Sequence, residues 1–249
     1  MKKVIICDRG NVSKVSSFCE KNNFGVNIDI LYYPDYLNLN VNTIENILEG
    51  YKNTEITSIH GPIDGLCFGS GDELVKSIAK KRFEYAYKLS CKFNSKNIIL
   101  HNGYTHGTTL PKYWFKESIP FWKNFLQNKN CDSTFYLENL TEHSPDIIFD
   151  LINSVNKSNL KMCFDVGHAN IFSKIDLIKW IEKANMQIGI VHLHNNNGID
   201  DEHLELNTGK INMLEICNAL EKYCPNAIWA IETRKYQKSI EWLKNNYLL

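Results

Sequence analysis

The stretch "MCFDVGHANIF" at residues 162–172 places an acid and an imidazole where an apolar run stops. Its first three residues are strand-like, and Asp165 and His168 come soon after them. The stretch "IVHLHNNNGIDDEHLEL" at residues 190–206 has the same arrangement, with several histidines and acids after an apolar run. Side chains able to bind a metal or to transfer protons therefore collect where strand-like segments end. We expect a fold in which such ends meet.

Strand and helix signals alternate along the whole chain. The strand-like runs lie at 3–8, 25–33, 55–60, 96–101, 133–138, 160–165, 188–194 and 227–232. Segments with helical apolar spacing lie at about 13–22, 42–52, 72–92, 112–128, 145–156, 175–185, 211–222 and 237–246. Eight alternating units in about 250 residues predict an α/β fold, a single (β/α)8 TIM barrel that forms one domain over residues 1–249. The alternative is an open doubly wound sheet, but no strand is followed by the glycine-rich phosphate loop typical of that fold.

The composition narrows the functional class. The chain has 28 Lys and Arg against 28 Asp and Glu, so its net charge provides no basic field that would attract a polyanion. No apolar run approaches the roughly 20 residues of a membrane span, and no signal-peptide core follows the N-terminus. We therefore expect a cytoplasmic protein. Its 8 cysteines form no Cys-x-x-Cys pair, which predicts reduced thiols.

Six successive strands, from the third to the eighth, each end at or next to a histidine or an acid. These residues are His60, His101, Glu138, Asp165, His192 and Glu232. In a barrel the strand ends converge on one mouth, the face where catalytic residues collect. Imidazoles and carboxylates directed at one another stay unsatisfied without a cation, so the pattern predicts a metal site. Further candidate ligands follow the sixth and seventh strands: His168, Asp201 and His203.

Each of these residues also has an ordinary structural explanation. A single histidine such as His60 is more often a hydrogen-bonded loop residue than a ligand. Asp165 could cap a helix, and Glu232 could form half of a salt bridge. Taken together, however, the ordinary explanations need six independent coincidences at one topological position, whereas one shared site explains them all.

The ordered series of residues resembles the xylose isomerase-like barrel superfamily. That superfamily includes sugar-phosphate isomerases and epimerases, and also abasic-site nucleases of the endonuclease IV type (AP endonuclease family 2). The resemblance covers about residues 3–245. The motifs that carry it are "SIHGP" (His60), "ILHNG" (His101), "FYLEN" (Glu138), "FDVGH" (Asp165, His168), "VHLH" (His192), "DDEH" (Asp201, His203) and "AIET" (Glu232).

The resemblance implies a divalent metal, and its two branches differ in metal number. In the isomerase and epimerase branch, the positions of Glu138, Asp165, His192 and Glu232 hold one ion. In the nuclease branch, all nine positions hold three zinc ions: Glu138 bridges, His60 and His101 bind one ion, and His168, Asp201 and His203 bind another. Histidine-rich ligands suit Zn, Mn, Co or Fe. We expect one such ion, with up to three possible.

The charge pattern speaks against a nuclease. A protein that grips bent DNA needs cationic side chains around its site, because phosphate neutralisation supplies most of the affinity. The loop "GPIDGLCFGSGD" at 61–72 has two acids and no Lys or Arg. In addition, Asn207 stands where the nuclease pattern has a glycine.

The resemblance therefore favours a metal-dependent sugar or sugar phosphate isomerase or epimerase. It makes Glu138 and Glu232 the pair that transfers protons through a metal-stabilised enediolate, and it makes His168 the residue that orients a substrate hydroxyl. Two other classes stay open: an endonuclease IV-like zinc phosphodiesterase acting on abasic DNA, and a non-catalytic barrel that binds a metabolite.

Arg9 and Arg234 follow the first and eighth strands, which are neighbours in a closed barrel. They could bind a substrate phosphate or carboxylate beside the metal, or each could pair with an acid on the barrel rim. Both explanations stay open at this point. Candidate aromatic walls of the pocket are Tyr32, Tyr33, Tyr104 and Trp114.

Overall fold

The computed structural model describes residues 2–32, 36, 41–127, 129 and 132–246. In this part of the chain, parallel strands pair in sequence order and close into a barrel when β8 pairs with β1. The strands are Val4–Asp8 (β1), Gly25–Ile28 (β2), Ile56–His60 (β3), Asn97–His101 (β4), Thr134–Glu138 (β5), Leu160–Asp165 (β6), Ile188–Leu193 (β7) and Ile228–Ile231 (β8). The predicted (β/α)8 barrel is confirmed.

Helices alternate with the strands and pack against them. They are Val12–Asn22 (α1), Val41–Leu48 (α2), Glu73–Lys92 (α3), Pro111–Gln127 (α4), Asp146–Val155 (α5), Val166–Phe172 (α6), Leu177–Ala184 (α7), Met213–Tyr223 (α8) and Tyr236–Asn246 (α9). Apolar side chains of both layers form the main core, including Phe135 of β5 and Trp122 of α4, whose ring centroids lie 6.0 Å apart. None of the described helices is long and apolar enough to cross a membrane.

The structure differs from the sequence prediction in two elements. β2 ends at Ile28 and is followed by a 3-10 turn at Ile30–Tyr32, whereas the predicted strand ran to residue 33, which lies outside the described residues. Helix α6 was not predicted. It begins directly after β6 because the Asp165 carboxylate accepts a hydrogen bond from the His168 amide and caps the helix.

Side chains alternate between the two faces of each strand, and this alternation positions the site. On β6, Phe164 joins the outer core, while Cys163 packs inside the barrel with Ile190 of β7. The inward face continues two residues later with Asp165 on β6 and His192 on β7. These two residues are direct register partners in adjacent strands, as are His101 and Glu138.

The expectation of reduced thiols is wrong for Cys91, which is disulfide-bonded. The cysteines found free are Cys7, Cys19, Cys67, Cys163, Cys217 and Cys224; Cys131 lies outside the described residues. A disulfide needs Cα atoms within about 7 Å in the folded chain, a condition that spacing in the sequence does not reveal.

Candidate metal centre

A cavity of about 430 Å³ opens at the carboxyl ends of the strands. Seven of the predicted ligands line it: His60, His101, Glu138, His168, Asp201, His203 and Glu232. The other two, Asp165 and His192, are completely buried next to them. The fold therefore brings all nine residues together around one mouth.

His192 lies at the centre of the cluster. Its Nδ1 is 3.3 Å from Glu138 Oε1, 3.2 Å from Glu232 Oε2 and 3.6 Å from Asp165 Oδ2. Although these contacts are close, neither ring nitrogen of His192 has a hydrogen-bond partner of good geometry among the described residues. An unpartnered buried imidazole surrounded by carboxylates is costly unless a cation joins them.

The carboxylates of this cluster are ionised. Burial alone would raise the pKa of Glu232, but His192, His203 and Arg9 bring it far below its usual range. The pKa of Asp165 is likewise far below its usual range, because His168 and His194 outweigh the effect of burial. Asp165, His192 and Glu232 each offer one ligand atom within 4.8 Å of the other two. These residues fit a divalent cation in number, charge and donor type.

Glu138 connects this cluster to two more histidines. Its Oε2 lies 2.9 Å from His60 Nε2 and 3.7 Å from His101 Nε2. Burial opposes charge on His60, but the hydrogen bond to Glu138 raises its pKa. Burial lowers the pKa of His101 to about 3, so that imidazole is neutral and keeps a free lone pair. Glu138 therefore has Oε2 near these two histidines, while its Oε1 lies near His192 and His168.

The third part of the cluster contains the residues that follow β6 and β7. His168 donates from Nδ1 to the Asn139 carbonyl at 2.9 Å, which leaves Nε2 directed at Asp201 Oδ2, 3.5 Å away. The same Asp201 oxygen lies 2.8 Å from His203 Nε2.

The two arginines lie in different surroundings. Arg9 lines the main cavity and donates to Glu232 Oε1 at 2.7 Å, so the salt-bridge explanation applies to it. Arg234 is exposed and lines a neighbouring cavity of about 450 Å³ together with Arg9 and Lys14. The two arginines therefore meet at this second cavity rather than at the centre of the mouth.

The aromatic walls were predicted only in part. Tyr32 lines the cavity. Tyr104 and Trp114 are buried in the core, where their ring centroids lie 5.6 Å apart. Tyr33 lies outside the described residues.

Sequence reasoning missed two polar residues of the mouth, Asp29 and His194. Asp29 follows the true end of β2 and lines the cavity, and its Oδ2 is buried without a hydrogen-bond partner among the described residues. His194 lies two residues after His192 and is completely buried, with Nε2 3.0 Å from Asp165 Oδ1. The alternation of side chains along a strand could have revealed both residues, because Asp29 and His194 continue the inward faces of β2 and β7.

Asp29→Asn should stabilise the metal-free protein more at pH 8 than at pH 5. We expect its effects on the free energy of unfolding at the two pH values to differ by about 1–3 kcal/mol. Burial and the charge of Glu232 raise the pKa of Asp29 to about 7. Since the folded chain holds this proton more tightly than the unfolded chain, the contribution of Asp29 to stability falls as pH rises from about 4 to about 7. Urea unfolding in the presence of a chelator measures the difference. An equal effect of the substitution at both pH values would contradict the prediction.

The fold and the site define the class of protein: a TIM barrel with a candidate metal centre of histidines and carboxylates at its mouth. Comparison with known proteins identifies the family. Residues 19–246 match the model of the xylose isomerase-like TIM barrel family. The chain belongs to this family.

Two related sequences are uncharacterized proteins of Methanocaldococcus jannaschii. MJ1311 is 24% identical over 200 residues, which cover 74% of this chain and 66% of the relative, just under two thirds of its length. MJ1614 is 28% identical over 211 residues, which cover 82% of this chain and 80% of the relative.

Solved structures share the fold. A D-tagatose 3-epimerase-like protein aligns with a TM-score of 0.80 and 22% identity over 98% of this chain and 96% of its own. The TTHB071 protein of Thermus thermophilus, soaked with ZnCl2, aligns with a TM-score of 0.78 and 19% identity over 98% of this chain and 97% of its own. A D-psicose 3-epimerase of Clostridium cellulolyticum with D-tagatose aligns with a TM-score of 0.72 and 18% identity over 92% of this chain and 83% of its own.

Proposed function

We propose that this protein is a divalent-metal-dependent isomerase or epimerase acting on a sugar or a sugar phosphate. The observation that carries the proposal is the pair of ionised carboxylates, Glu138 and Glu232, which both line an open cavity and both lie within 3.3 Å of His192 Nδ1. Sugar 3-epimerases among the structural neighbours, one of them with bound D-tagatose, support this class of substrate.

Glu138, Asp165, His192 and Glu232 would hold one divalent ion. The remaining candidate ligands, His60, His101, His168, Asp201 and His203, would allow as many as three ions. Zn, Mn, Co and Fe all suit this set of ligands, and a zinc-soaked neighbour makes zinc the first ion to test. A bound divalent ion would supply Lewis-acid stabilisation of the negative charge that develops on the substrate oxygens.

The chain itself would move the proton. Glu138 and Glu232 approach the centre from β5 and from the end of β8, so they can face opposite sides of a substrate carbon placed between them. One carboxylate would remove the proton next to the carbonyl, and the other, after taking up a proton from solvent, would deliver it to the opposite face. His168, fixed through its Nδ1 by the Asn139 carbonyl, presents Nε2 to a substrate hydroxyl.

Proton exchange tests this proposal. The protein, loaded separately with Zn, Mn or Co, is incubated in D2O with ketohexoses and ketose phosphates, and NMR follows deuterium entering the carbon next to the carbonyl. We expect exchange and formation of the epimer or isomer only with the metal present. If metal-loaded, folded protein produces no exchange with any of these compounds, the proposal is wrong.

Arg234 would distinguish a phosphorylated substrate from a free sugar. Arg234→Gln should raise KM for a ketose phosphate about 10- to 100-fold, because a charge-assisted hydrogen bond contributes about 1.5–3 kcal/mol. KM for the unphosphorylated sugar should not change. Lys235→Gln is the control, since Lys235 is exposed, adjacent in sequence and paired with Glu205. Equal KM changes for both substrates in the Arg234 variant would exclude a phosphate role.

The crowding of nine ligands around one mouth favours a second candidate, zinc-dependent phosphodiester hydrolysis. Several groups of residues offer ligand atoms within 4.8 Å of one another, including His60 with His101 and Glu138, and His194 with Asp201 and His203. Cleavage of a DNA duplex carrying one abasic site by zinc-loaded protein, without sugar proton exchange, would replace the first proposal with this one.

A further inference from the structure

The carboxylate of Asp29 has one oxygen that the fold does not use. Asp29 lines the main cavity, and it is only 3% exposed because it is set into the cavity wall. Its Oδ1 accepts a hydrogen bond from the Asn27 amide nitrogen, whereas its Oδ2 has no partner among the described residues. A buried carboxylate oxygen without a donor is costly. The main cavity therefore contains an acceptor that a bound molecule could satisfy.

Two buried polar residues fix the orientation of this carboxylate. Asn27 and Ser58 are completely buried register partners on β2 and β3. The Ser58 hydroxyl donates to Asn27 Oδ1 at 2.5 Å, so the amide nitrogen of Asn27 is the atom turned towards Asp29. The backbone is held as well, since the Asp29 amide donates to the Asp8 carbonyl at 2.9 Å. Asp29 is therefore a preorganised acceptor, which lowers the entropic cost of binding to it.

Asp29 and the central cluster lie on different halves of the barrel mouth. The cluster consists of Glu138, Asp165, His192 and Glu232, which lie on or next to β5 to β8. Asp29 follows β2, which is diametrically opposite β6 in the closed order of eight strands. The cavity at this mouth, about 430 Å³, is large enough for a small ligand such as a sugar. A molecule bound at the central cluster can therefore reach Asp29 with a part of its chain that does not contact the cluster.

The charges around Asp29 favour hydroxyl groups over phosphate. Asp64 lines the same cavity and adds a second acid. Arg9 is the one Lys or Arg among the described residues of this cavity, and it already donates to Glu232 at 2.7 Å. A hydroxyl can donate to a carboxylate oxygen, whereas a phosphate dianion would be repelled by it. This half of the mouth therefore suits the uncharged hydroxyls of a sugar chain.

We propose that Asp29 determines substrate specificity by accepting, through its carboxylate, a hydrogen bond from a sugar hydroxyl beyond the reacting carbons. The inference rests on the proposed function, since it takes a sugar as the molecule held at the central cluster. It deepens that function by adding a specificity residue outside the set of candidate metal ligands. Loss of the recognised hydroxyl should weaken binding about 10- to 100-fold, the range expected for a hydrogen bond to a charged group.

Calorimetric titration of the zinc-loaded protein at pH 8 tests this proposal without requiring turnover. The probes are D-tagatose and D-allulose, both present in structures of neighbouring epimerases, and their analogues that lack the hydroxyl at carbon 4, 5 or 6. In the wild type, at least one analogue should bind about 10- to 100-fold more weakly than its parent sugar. In Asp29→Ala, the same analogue and its parent should bind within about twofold of each other. A merely structural role of Asp29 would change both affinities but not their ratio.

Asp200→Ala is the matched control, because Asp200 is an exposed acid of the loop after β7, and it should keep the wild-type ratio. If Asp29→Ala does not fold, Asp29→Asn serves. Asparagine keeps an acceptor for Asn27 but loses the charge, so the ratio should fall below about tenfold. A ratio that is near one in the wild type, or equal in the wild type and the Asp29 variant, would overturn the proposal while sugar binding itself stands. If the wild type binds neither sugar, the role of Asp29 is excluded, and proton exchange with ketose phosphates still decides the proposed function separately.

Discussion

Glu138→Gln should lower the rate of substrate proton exchange by about 100- to 10 000-fold, the range that positioned acid–base groups contribute. The Glu138 carboxylate is buried and ionised, because His192 and His101 overcome the effect of burial and lower its pKa below the usual range. Glutamine keeps the size of the side chain but cannot take a proton from carbon. Deuterium exchange in D2O under saturating metal is the measurement.

A matched control separates lost chemistry from lost metal. Glu202→Gln changes an acid of the mouth loop whose oxygen accepts from the Asn197 amide at 2.8 Å, and it should exchange at the wild-type rate. Metal content must be measured for both variants, because Glu138 is also a candidate ligand. A Glu138→Gln protein that keeps its metal and exchanges at the wild-type rate would remove Glu138 from the reaction.

The sequence predicted the barrel and most of the mouth because each depends on local patterns. Alternating strands and helices fix a parallel barrel, and parallel register then places the ends of neighbouring strands side by side. His101 and Glu138, and likewise Asp165 and His192, become direct partners for that reason. The roles of these residues in metal binding and catalysis remain predictions.

The sequence analysis missed residues whose place at the mouth depends on the exact end of a strand or on how a loop folds. Asp29 was hidden by an apolar run that continues past the end of β2 as a 3-10 turn, so the strand end could not be placed. His194 is the last residue of the "VHLH" motif, and alternation puts it on the same face as His192. Its distinctive feature, an unpartnered nitrogen beside Asp201, arises only when the loop after β7 folds back over the mouth.

The two arginines show that the sequence does not predict where a long side chain on the barrel rim points. Closure of the barrel places the ends of β1 and β8 together, and this much followed from the fold. Which cavity a long arginine side chain reaches depends on its neighbours, and Arg9 is drawn to Glu232 and His203 while Arg234 stays exposed. Adjacent positions on a barrel rim therefore did not reveal which cavity each arginine side chain lines, and the role of both arginines in substrate binding stays a prediction.

His192→Gln should weaken binding of the central metal ion by more than about 100-fold, since loss of a ligand's hydrogen-bond partner alone typically costs about 10- to 100-fold. His192 is the member of the central cluster within 3.6 Å of all three carboxylates. Competition with a fluorescent zinc chelator measures the affinity, and His106→Gln, which removes an exposed histidine, is the control. An unchanged affinity for every bound zinc would place the ion elsewhere.

The same site should make stabilisation by zinc depend on pH. Burial alone would lower the pKa of His192, but Cys163, Glu138 and Glu232 raise it well above its usual value. In the metal-free chain, the protonated imidazole therefore stabilises the fold below its unfolded pKa of about 6.5, and this contribution is lost as pH rises through the folded pKa. Zinc needs the neutral imidazole and competes with that proton.

The difference in Tm between zinc-saturated and chelator-treated protein should therefore grow from pH 6 to pH 8. At about 1,000 times Kd a ligand adds about 4 kcal/mol of stability, and the proton reduces this by raising the apparent Kd at low pH. In His192→Gln the zinc-dependent shift should be smaller at both pH values. A wild-type difference that stays constant with pH would mean that zinc displaces no proton from the cluster between pH 6 and pH 8, and it would contradict a protonated His192 in the metal-free chain.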